Sequence, residues 1–192
     1  MTSTQSDAPG DDSRGTSDQR GTRSASMLQP TGDNPAFLAE RYFVGALLHL
    51  PASVTRQAAE VIFPAWLTDV HVRGVYSALV DLANGGAQTD PASVVPTMLR
   101  LGLPQQSAGV ATSLVVDLLA DVPMPSSWRL YAVQVAASRQ RQRIEIVGHV
   151  LVERAHRDPL DRLHAVLEEA REEIECMTSH ITRLIHDGSE AA

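Results

Sequence analysis

The stretch AHRDPLDRLHAVLEEA, residues 155–170, decides how the C-terminal third of this chain folds. Asp158 and Pro159 end one helical pattern and start the next, because Asp is a good N-cap and Pro is tolerated in the first turn of a helix. Leu160 and Leu163 then open a new apolar stripe. The stretch therefore predicts a tight turn between two helices, and nothing in it indicates catalysis.

The arms on either side of this turn are long. The first supports about 30 helical residues, or roughly 45 Å at 1.5 Å per residue. The second spaces its apolar residues alternately by three and four, as a heptad seam does, and Ala170 and Leu184 also fit its pattern. The arms predict an antiparallel helical hairpin. Its seam consists of Ile144, Val147, Leu151, Leu160, Leu163, Leu167, Ile174, Met177 and Ile181.

A hairpin of two helices leaves apolar surface on its outer flanks. This surface could be covered internally if the hairpin folds back onto the preceding helices. It could also be covered by a second copy of the chain or by another protein. Because the arms exceed the span of a compact six-helix core, we favour a homodimer or higher oligomer formed through the hairpin, or partner binding.

The chain before the hairpin divides into two parts. Residues 1–33 are rich in Ser, Thr, Gly, Asp and Arg and predict a disordered polar tail, as do residues 188–192 at the other end. Residues 34–125 contain amphipathic helical patterns separated by Pro and Gly, with Asn34 as the first N-cap. Pro96 favours a late start at Ser93, or a kink, in the fourth helix. The sequence predicts an all-α protein, with a six-helix-type globular subdomain at 34–125 and a hairpin at 126–187.

The composition excludes several functions. All 16 basic residues are Arg, so the chain can form neither a P-loop of the G-x-x-x-x-G-K-[ST] type nor a Schiff base on Lys. A formal charge of −7 argues against direct nucleic-acid binding, and no apolar run is long enough for a membrane span. Cys176 is the single cysteine, which excludes an intrachain disulfide and favours the cytoplasm. We expect no enzymatic activity and no cofactor.

Two groups of polar residues are the remaining candidates for chemistry. Cys176 and His180 have helical i, i+4 spacing, but two ligands are too few for a metal site, and a half-buried thiol is the simpler interpretation. The second group is a basic patch for phosphate or an acidic partner, formed by Arg139, Arg141 and Arg143. The alternative for this patch is a solvated stretch in which Arg141 pairs with Glu145.

The order of these features resembles the N-terminal domain of DnaB-type replicative helicases over about residues 36–180. ERYFVGALLHLP, residues 40–51, is similar to the opening helix of the family. WLTDVHVRGVYSALVDLANGGAQTDPASV, residues 66–94, continues the resemblance through His71, Tyr76, Leu82, Gly86 and Asp90. Residues 118–148 are similar to the start of the family's hairpin, with a Val-Pro turn, the Tyr131–Ala132 pair and an Arg-rich stretch. RDPLDRLHAVLEEAREEI, residues 157–174, is similar to the returning arm.

The resemblance implies a helical globule with a hairpin that pairs between subunits, forms a collar above the motor ring and docks primase or a helicase loader. It also implies that the domain hydrolyses nothing. The P-loop motor domain of the family should follow the hairpin, but this sequence ends at HDGSEAA. Pro96 and Trp128 are atypical of the family. The polar tail at residues 1–33 is longer than expected ahead of the domain of this family.

The leading hypothesis is therefore a stand-alone interaction module of DNA replication that engages a helicase, primase or loader. One alternative is the N-terminal part of a helicase whose motor domain is missing or encoded separately. Another is a helical DNA-binding regulator.

Overall fold

A computed structural model describes residues 35–102 and 107–189, which form seven α-helices, two short 3-10 helices and no strand within these ranges. The all-α prediction is confirmed. The predicted tail at 1–33 and the predicted cap Asn34 lie outside the described residues. The helices are α1 (Pro35–Leu48), α2 (Ala52–Ala59), α3 (Val70–Asn84), α4 (Pro91–Arg100), α5 (Ala108–Asp121), α6 (Trp128–Arg154) and α7 (Leu160–Ser189), with 3-10 helices at Pro64–Trp66 and Pro125–Ser127.

Local chemistry fixes both ends of α3. At its start, the Asp69 carboxylate accepts hydrogen bonds from the backbone N–H groups of His71 (2.8 Å) and Val72 (3.3 Å). At its end, Gly86 has φ of 72°, a left-handed conformation that glycine adopts without steric penalty. The N–H of Gly86 bonds to the carbonyl of Ala83, and the N–H of Ala87 bonds to that of Leu82 at 2.9 Å, which is a Schellman motif.

Helix α4 begins at Pro91, so the prediction of a start at Ser93 is wrong. The Asp90 carboxylate caps this helix by accepting bonds from the Ser93 N–H (3.0 Å) and the Ser93 hydroxyl (2.9 Å). These two bonds also lower the pKa of Asp90. Pro96 lies inside the helix, where it has no N–H to donate to the Ala92 carbonyl. The strong cap outweighs that loss.

The core of the globule forms where α1 packs against α3, α5 and α6. Phe43 and Tyr76 are fully buried and meet edge to face, with ring centroids 5.2 Å apart. The Tyr76 hydroxyl donates to the Ile62 carbonyl at 2.8 Å, which satisfies the one polar atom of this ring. Further buried side chains of this core include Val44 and Leu47 of α1, Val72, Val75 and Leu79 of α3, Met98 of α4, Val115 and Leu118 of α5, and Ile62 and Leu67 from the segment between α2 and α3.

Gly45 lets α1 and α5 approach closely. A Cβ added at this position would collide with the backbone carbonyl of Leu118 and the side chain of Val122. The contact is with backbone, so α5 would have to move as a whole. Arg41 and Asp121 form an ion pair at 2.5 Å between the same two helices.

We expect Gly45→Ala to destabilise the fold by about 1–3 kcal/mol, because it overpacks the contact between α1 and α5. Gly109→Ala is the matched control, since its Cβ would meet only the Ser107 hydroxyl at 3.9 Å. The control should be neutral or stabilising by up to about 1 kcal/mol through helix propensity. Urea unfolding of both variants measures the difference, and equal stabilities would contradict the close approach.

Glu40 is a buried carboxylate that organises the start of α3 from α1. It accepts hydrogen bonds from the backbone N–H groups of Thr68 (2.8 Å) and Asp69 (3.0 Å). Burial raises the pKa of Glu40, and the two backbone bonds offset only part of that effect. The folded state therefore holds the Glu40 proton more tightly than the unfolded state does.

This pKa shift gives stability a pH dependence of definite sign. The stabilising contribution is fully present below the unfolded pKa, near 4.5, and is lost as the pH rises through the folded pKa of Glu40. Relative to Glu40→Gln, the wild-type protein should therefore lose stability as the pH rises from about 4.5 towards neutrality. Denaturant titrations across this range measure the difference, and a gap that moves in the opposite direction would rule out the raised pKa.

Helices α6 and α7 form the predicted hairpin. At 1.5 Å per residue, the 27 residues of α6 and the 30 of α7 span about 40 and 45 Å. The carbonyl of Pro159 accepts the N–H groups of Arg162 (3.1 Å) and Leu163 (3.3 Å), so Pro159 rather than Asp158 occupies the cap position. Helix α7 continues to Ser189, beyond the predicted hairpin boundary at 187.

In the described ranges, no single helix combines the length and the apolar composition needed to cross a membrane. Helices α5 and α6 meet that criterion only as a pair, and they are bent by 95° at the break between them.

Candidate interaction surface on the hairpin

The base of the hairpin is part of the globular core. In α6, Trp128, Tyr131 and Val135 are buried with residues of α1, and the ring centroids of Tyr131 and Tyr42 lie 5.6 Å apart. Leu184, near the end of α7, joins the same core. Internal packing therefore accounts for the start of α6 and the end of α7.

The distal half of the hairpin is covered only in part. Two predicted seam residues, Val147 and Met177, are buried between the arms, as is Ala170. Leu151, Leu163 and Ile174 are partly buried, and Ile181, which lies nearer the base, packs against the globular core. Three others remain exposed on the single chain: Ile144 (51%), Leu160 (71%) and Leu167 (45%).

The exposed and buried seam residues together shape an apolar groove between the arms. The groove has a volume of about 400 Å³. Its lining is mostly apolar, and the small residues Gly148 and Ala170 make it concave. We use the name hairpin groove for the surface lined by Ile144, Val147, Gly148, Leu151, Leu167, Ala170, Arg171, Ile174 and Glu175.

Two polar contacts set the antiparallel register of the arms. The Arg143 guanidinium donates to the Glu173 carboxylate at 2.5 Å, and the Gln140 amide donates to the Thr178 hydroxyl at 2.8 Å. The later residue on α6 meets the earlier residue on α7, as antiparallel arms require. Arg143 is therefore engaged within the hairpin and is less available to an external phosphate.

We expect a double-mutant cycle on Arg143→Ala and Glu173→Ala to give a coupling energy below about 1 kcal/mol, which falls in high salt because both side chains are partly exposed. The outer pair Glu153 and Arg157, near the tip of the hairpin and outside the groove, is the matched control and should couple less. Urea unfolding of the two cycles provides the comparison. A larger coupling for the outer pair would argue against an Arg143–Glu173 register contact.

Arg139 and Arg141, the other two residues of the predicted basic patch, differ from Arg143 in their contacts and exposure. Arg139 is half-buried and donates to the Gln142 side chain at 2.8 Å. Arg141 is exposed, and within the described ranges it has no carboxylate within 4.0 Å, so the alternative pair with Glu145 is not formed. Glu145 instead lies 4.0 Å from His149. The structure does not bring the three arginines together as one free cationic surface.

Cys176 and His180 do not act as a pair. Cys176 is exposed, whereas the His180 ring packs edge to face against Phe63 and Trp66 at centroid distances of 5.7 Å. Across residues 35–102 and 107–189, no group of three His, Cys, Asp or Glu side chains is placed to hold a metal ion. His180 instead joins the end of α7 to the 3-10 helix at Pro64–Trp66.

The described residues form an all-α domain: a helical globule from which an antiparallel hairpin projects, with an apolar groove that these residues leave open. The structure is similar to the crystal structure of the N-terminal domain of DnaB helicase from Mycobacterium tuberculosis. The two share 22% sequence identity with a TM-score of 0.59, over 72% of this chain and 94% of that one. The chain therefore has a DnaB N-terminal-domain-like fold. No protein-family model and no curated protein sequence matches it.

Proposed function

We propose that this chain is a non-catalytic module of DNA replication that self-associates through its hairpin groove. The observation that carries the proposal is the uncovered groove on a DnaB N-terminal-domain-like fold. The groove is lined by the distal halves of α6 and α7, beyond the side chains that join the globular core. The chain's own helices leave it open.

A second hairpin has the chemistry that this groove requires. Leu167 and Ile144 of one copy are exposed aliphatic side chains, and those of a second copy could be buried over the small residues Gly148 and Ala170. Burying such side chains is favourable by roughly 25 cal/mol per Å² of apolar surface. Arg171 and Glu175, at the rim, offer charges of both signs to the same residues of a partner copy.

The likeness to a helicase N-terminal domain supports a proposal about which proteins the module binds. We propose that the assembled module docks a replicative helicase, a primase or a helicase loader in the cytoplasm and performs no hydrolysis itself. The absence of lysine from the sequence supports a module that docks other proteins and does not hydrolyse nucleotide. A motor with a P-loop would have to come from another chain or segment. Direct contact with nucleic acid is not part of the proposal.

We expect the wild-type protein to be a dimer or higher oligomer at tens of micromolar, and Leu167→Glu to convert it to a monomer of 20.7 kDa. A charge in the paired groove would be buried without a partner, which is strongly unfavourable. Leu167 is 45% exposed in the single chain, so folding should be little affected. Light scattering coupled to size exclusion measures the mass, and circular dichroism confirms the helices.

Val152→Glu is the matched control, because Val152 lies on the same hairpin, is 75% exposed and does not line the groove. This variant should retain the wild-type mass. A wild-type protein that is monomeric throughout, or dissociation by Val152→Glu with none by Leu167→Glu, would contradict the proposal. Failure of the assembled protein to capture helicase, primase or loader would remove the docking part alone.

A second candidate is the N-terminal part of a replicative helicase whose motor is missing or encoded separately. It is supported by the extent of the structural similarity, which spans 94% of a solved helicase N-terminal domain. The genomic sequence immediately downstream of the coding region tests it. An adjacent reading frame with a P-loop motif would favour this candidate over a stand-alone module.

A DNA-binding regulator is disfavoured. Arg143 is paired with Glu173, and the chain carries a formal charge of −7. Salt-sensitive gel shifts that disappear on Arg139→Ala and Arg141→Ala would restore this candidate, since phosphate contacts weaken steeply with salt.

A further inference from the structure

Gly148 lies in the interior of α6, where the packing of the single chain does not require a glycine. Glycine is the least favourable residue in a helix interior after proline, because it loses the most backbone freedom on folding. A Cβ added at Gly148 would meet no atom within 4 Å, whereas one added at Gly45 would collide with α5. Among the described residues, an alanine would therefore fit at position 148.

Gly148 also lies at the centre of the hairpin groove. The polar contacts between the arms put it level with residues 168–170 of α7, so the small residue Ala170 lies at the same level. Each arm also has aliphatic groove residues about one turn to either side: Ile144 and Leu151 around Gly148, and Leu167 and Ile174 around Ala170. The lining is thus nearly symmetric about its centre, as pairing with an identical groove requires.

We propose that two copies pair through the hairpin groove with antiparallel arms, and that their α6 helices approach most closely where the two Gly148 residues meet. This inference rests on the self-association proposed above and adds its geometry. The two-fold axis crosses the arms at the level of Gly148. It sets Ile144 of one copy beside the partner's Leu151. A side chain at position 148 would hold the two backbones apart, because the side chains at a contact set the distance between packed helices.

The charges of the groove favour antiparallel over parallel arms. All groove residues from α6 are uncharged, and both charged ones, Arg171 and Glu175, belong to α7. Antiparallel arms set α6 against α6 and α7 against α7, so uncharged lining meets uncharged lining. Parallel arms would set the charged rim of α7 over the uncharged lining of α6, which is unfavourable because the charges would lose water without gaining a partner.

The same axis gives the charges of the rim a partner. It passes between residues 168 and 171 of α7, and so brings Arg171 of each copy level with the partner's Glu168. Within one chain these two side chains lie 3.1 Å apart and are 63% and 65% exposed. Antiparallel pairing therefore places a second carboxylate beside each Arg171, and the rim complements itself.

The first test measures the Kd of the dimer by sedimentation equilibrium of the full chain over a dilution series. Gly148→Leu should raise the Kd by at least about tenfold, because the added side chain overpacks the contact. Val152→Leu is the matched control, since Val152 lies one turn further along α6, is 75% exposed and does not line the groove. The control should leave the Kd within about twofold of wild type.

Folding should respond to position 148 in the opposite direction. In the monomeric Leu167→Glu background, Gly148→Ala should raise the midpoint of urea unfolding, because alanine favours the helix and its Cβ meets no atom within 4 Å. In the otherwise wild-type chain, the same substitution should weaken the dimer. A glycine that served the packing of the single chain would instead give a lower midpoint in the monomer.

Cross-linking tests the orientation in a Cys176→Ser background, which removes the single native thiol. Under mild oxidation, Gly148→Cys should give a disulfide-linked dimer, because the two positions meet within the roughly 4–7 Å between Cα atoms that a disulfide spans. Val152→Cys should give a monomer on a denaturing gel. Parallel arms would hold the two α6 helices at opposite corners of the four-helix bundle and give no link at position 148.

The outcomes separate this inference from the proposed function. A wild-type dimer whose Kd is unchanged by Gly148→Leu, or that cross-links at position 152 and not at 148, would overturn the antiparallel contact and leave self-association standing. A wild-type chain that is monomeric at every concentration would overturn both.

Discussion

The packing of α6 against α1 is the interaction on which the rest of the molecule depends. Tyr131 and Val135 enter the core of the globule through this contact, and Tyr42 of α1 covers the Tyr131 ring. The same helix then runs on towards the tip of the hairpin. One rigid element therefore belongs to the core at its start and lines the hairpin groove further along. The direction of the hairpin is set by packing inside the globule.

Along this single helix, the residues that stabilise the globule are separate from those that line the hairpin groove, through which we propose that the chain self-associates. The buried residues of α6 before Arg139 contribute to folding of the single chain, whereas Ile144 contributes little because half of its surface is exposed. Substitutions near the base should therefore change stability, and those in the hairpin groove should change assembly. The buried seam residue Val147 lies between these cases, since it holds the arms together and also lines the groove.

The sequence predicts the parts of this structure that depend on local chemistry. The break between the two arms arises from Asp158 and Pro159, which lie at the break itself. Pro96 shows where a local rule fails, because a single missing hydrogen bond is less important than the cap at Asp90. The all-α fold follows from helical periodicity along the chain, and no long-range information is needed for it.

The candidate sites were less predictable because they depend on register and on distant neighbours. The heptad pattern gives Leu167 and Met177 equivalent positions in the seam. Leu167 is nevertheless exposed and Met177 is buried, because two helices can enclose only one side of a seam. The pairing of Arg143 with Glu173 required the register of the arms.

The antiparallel turn at residues 155–159 has a geometric consequence. Because α7 returns to the globule and places Leu184 in its core, both ends of the hairpin are anchored on the same body and only the tip is free. Seven residues added to each arm would move the tip outward by roughly 10 Å and preserve the heptad register. The anchored ends would stay where they are. The length of the hairpin is thus a variable that evolution or design can change without rebuilding the domain from which it projects.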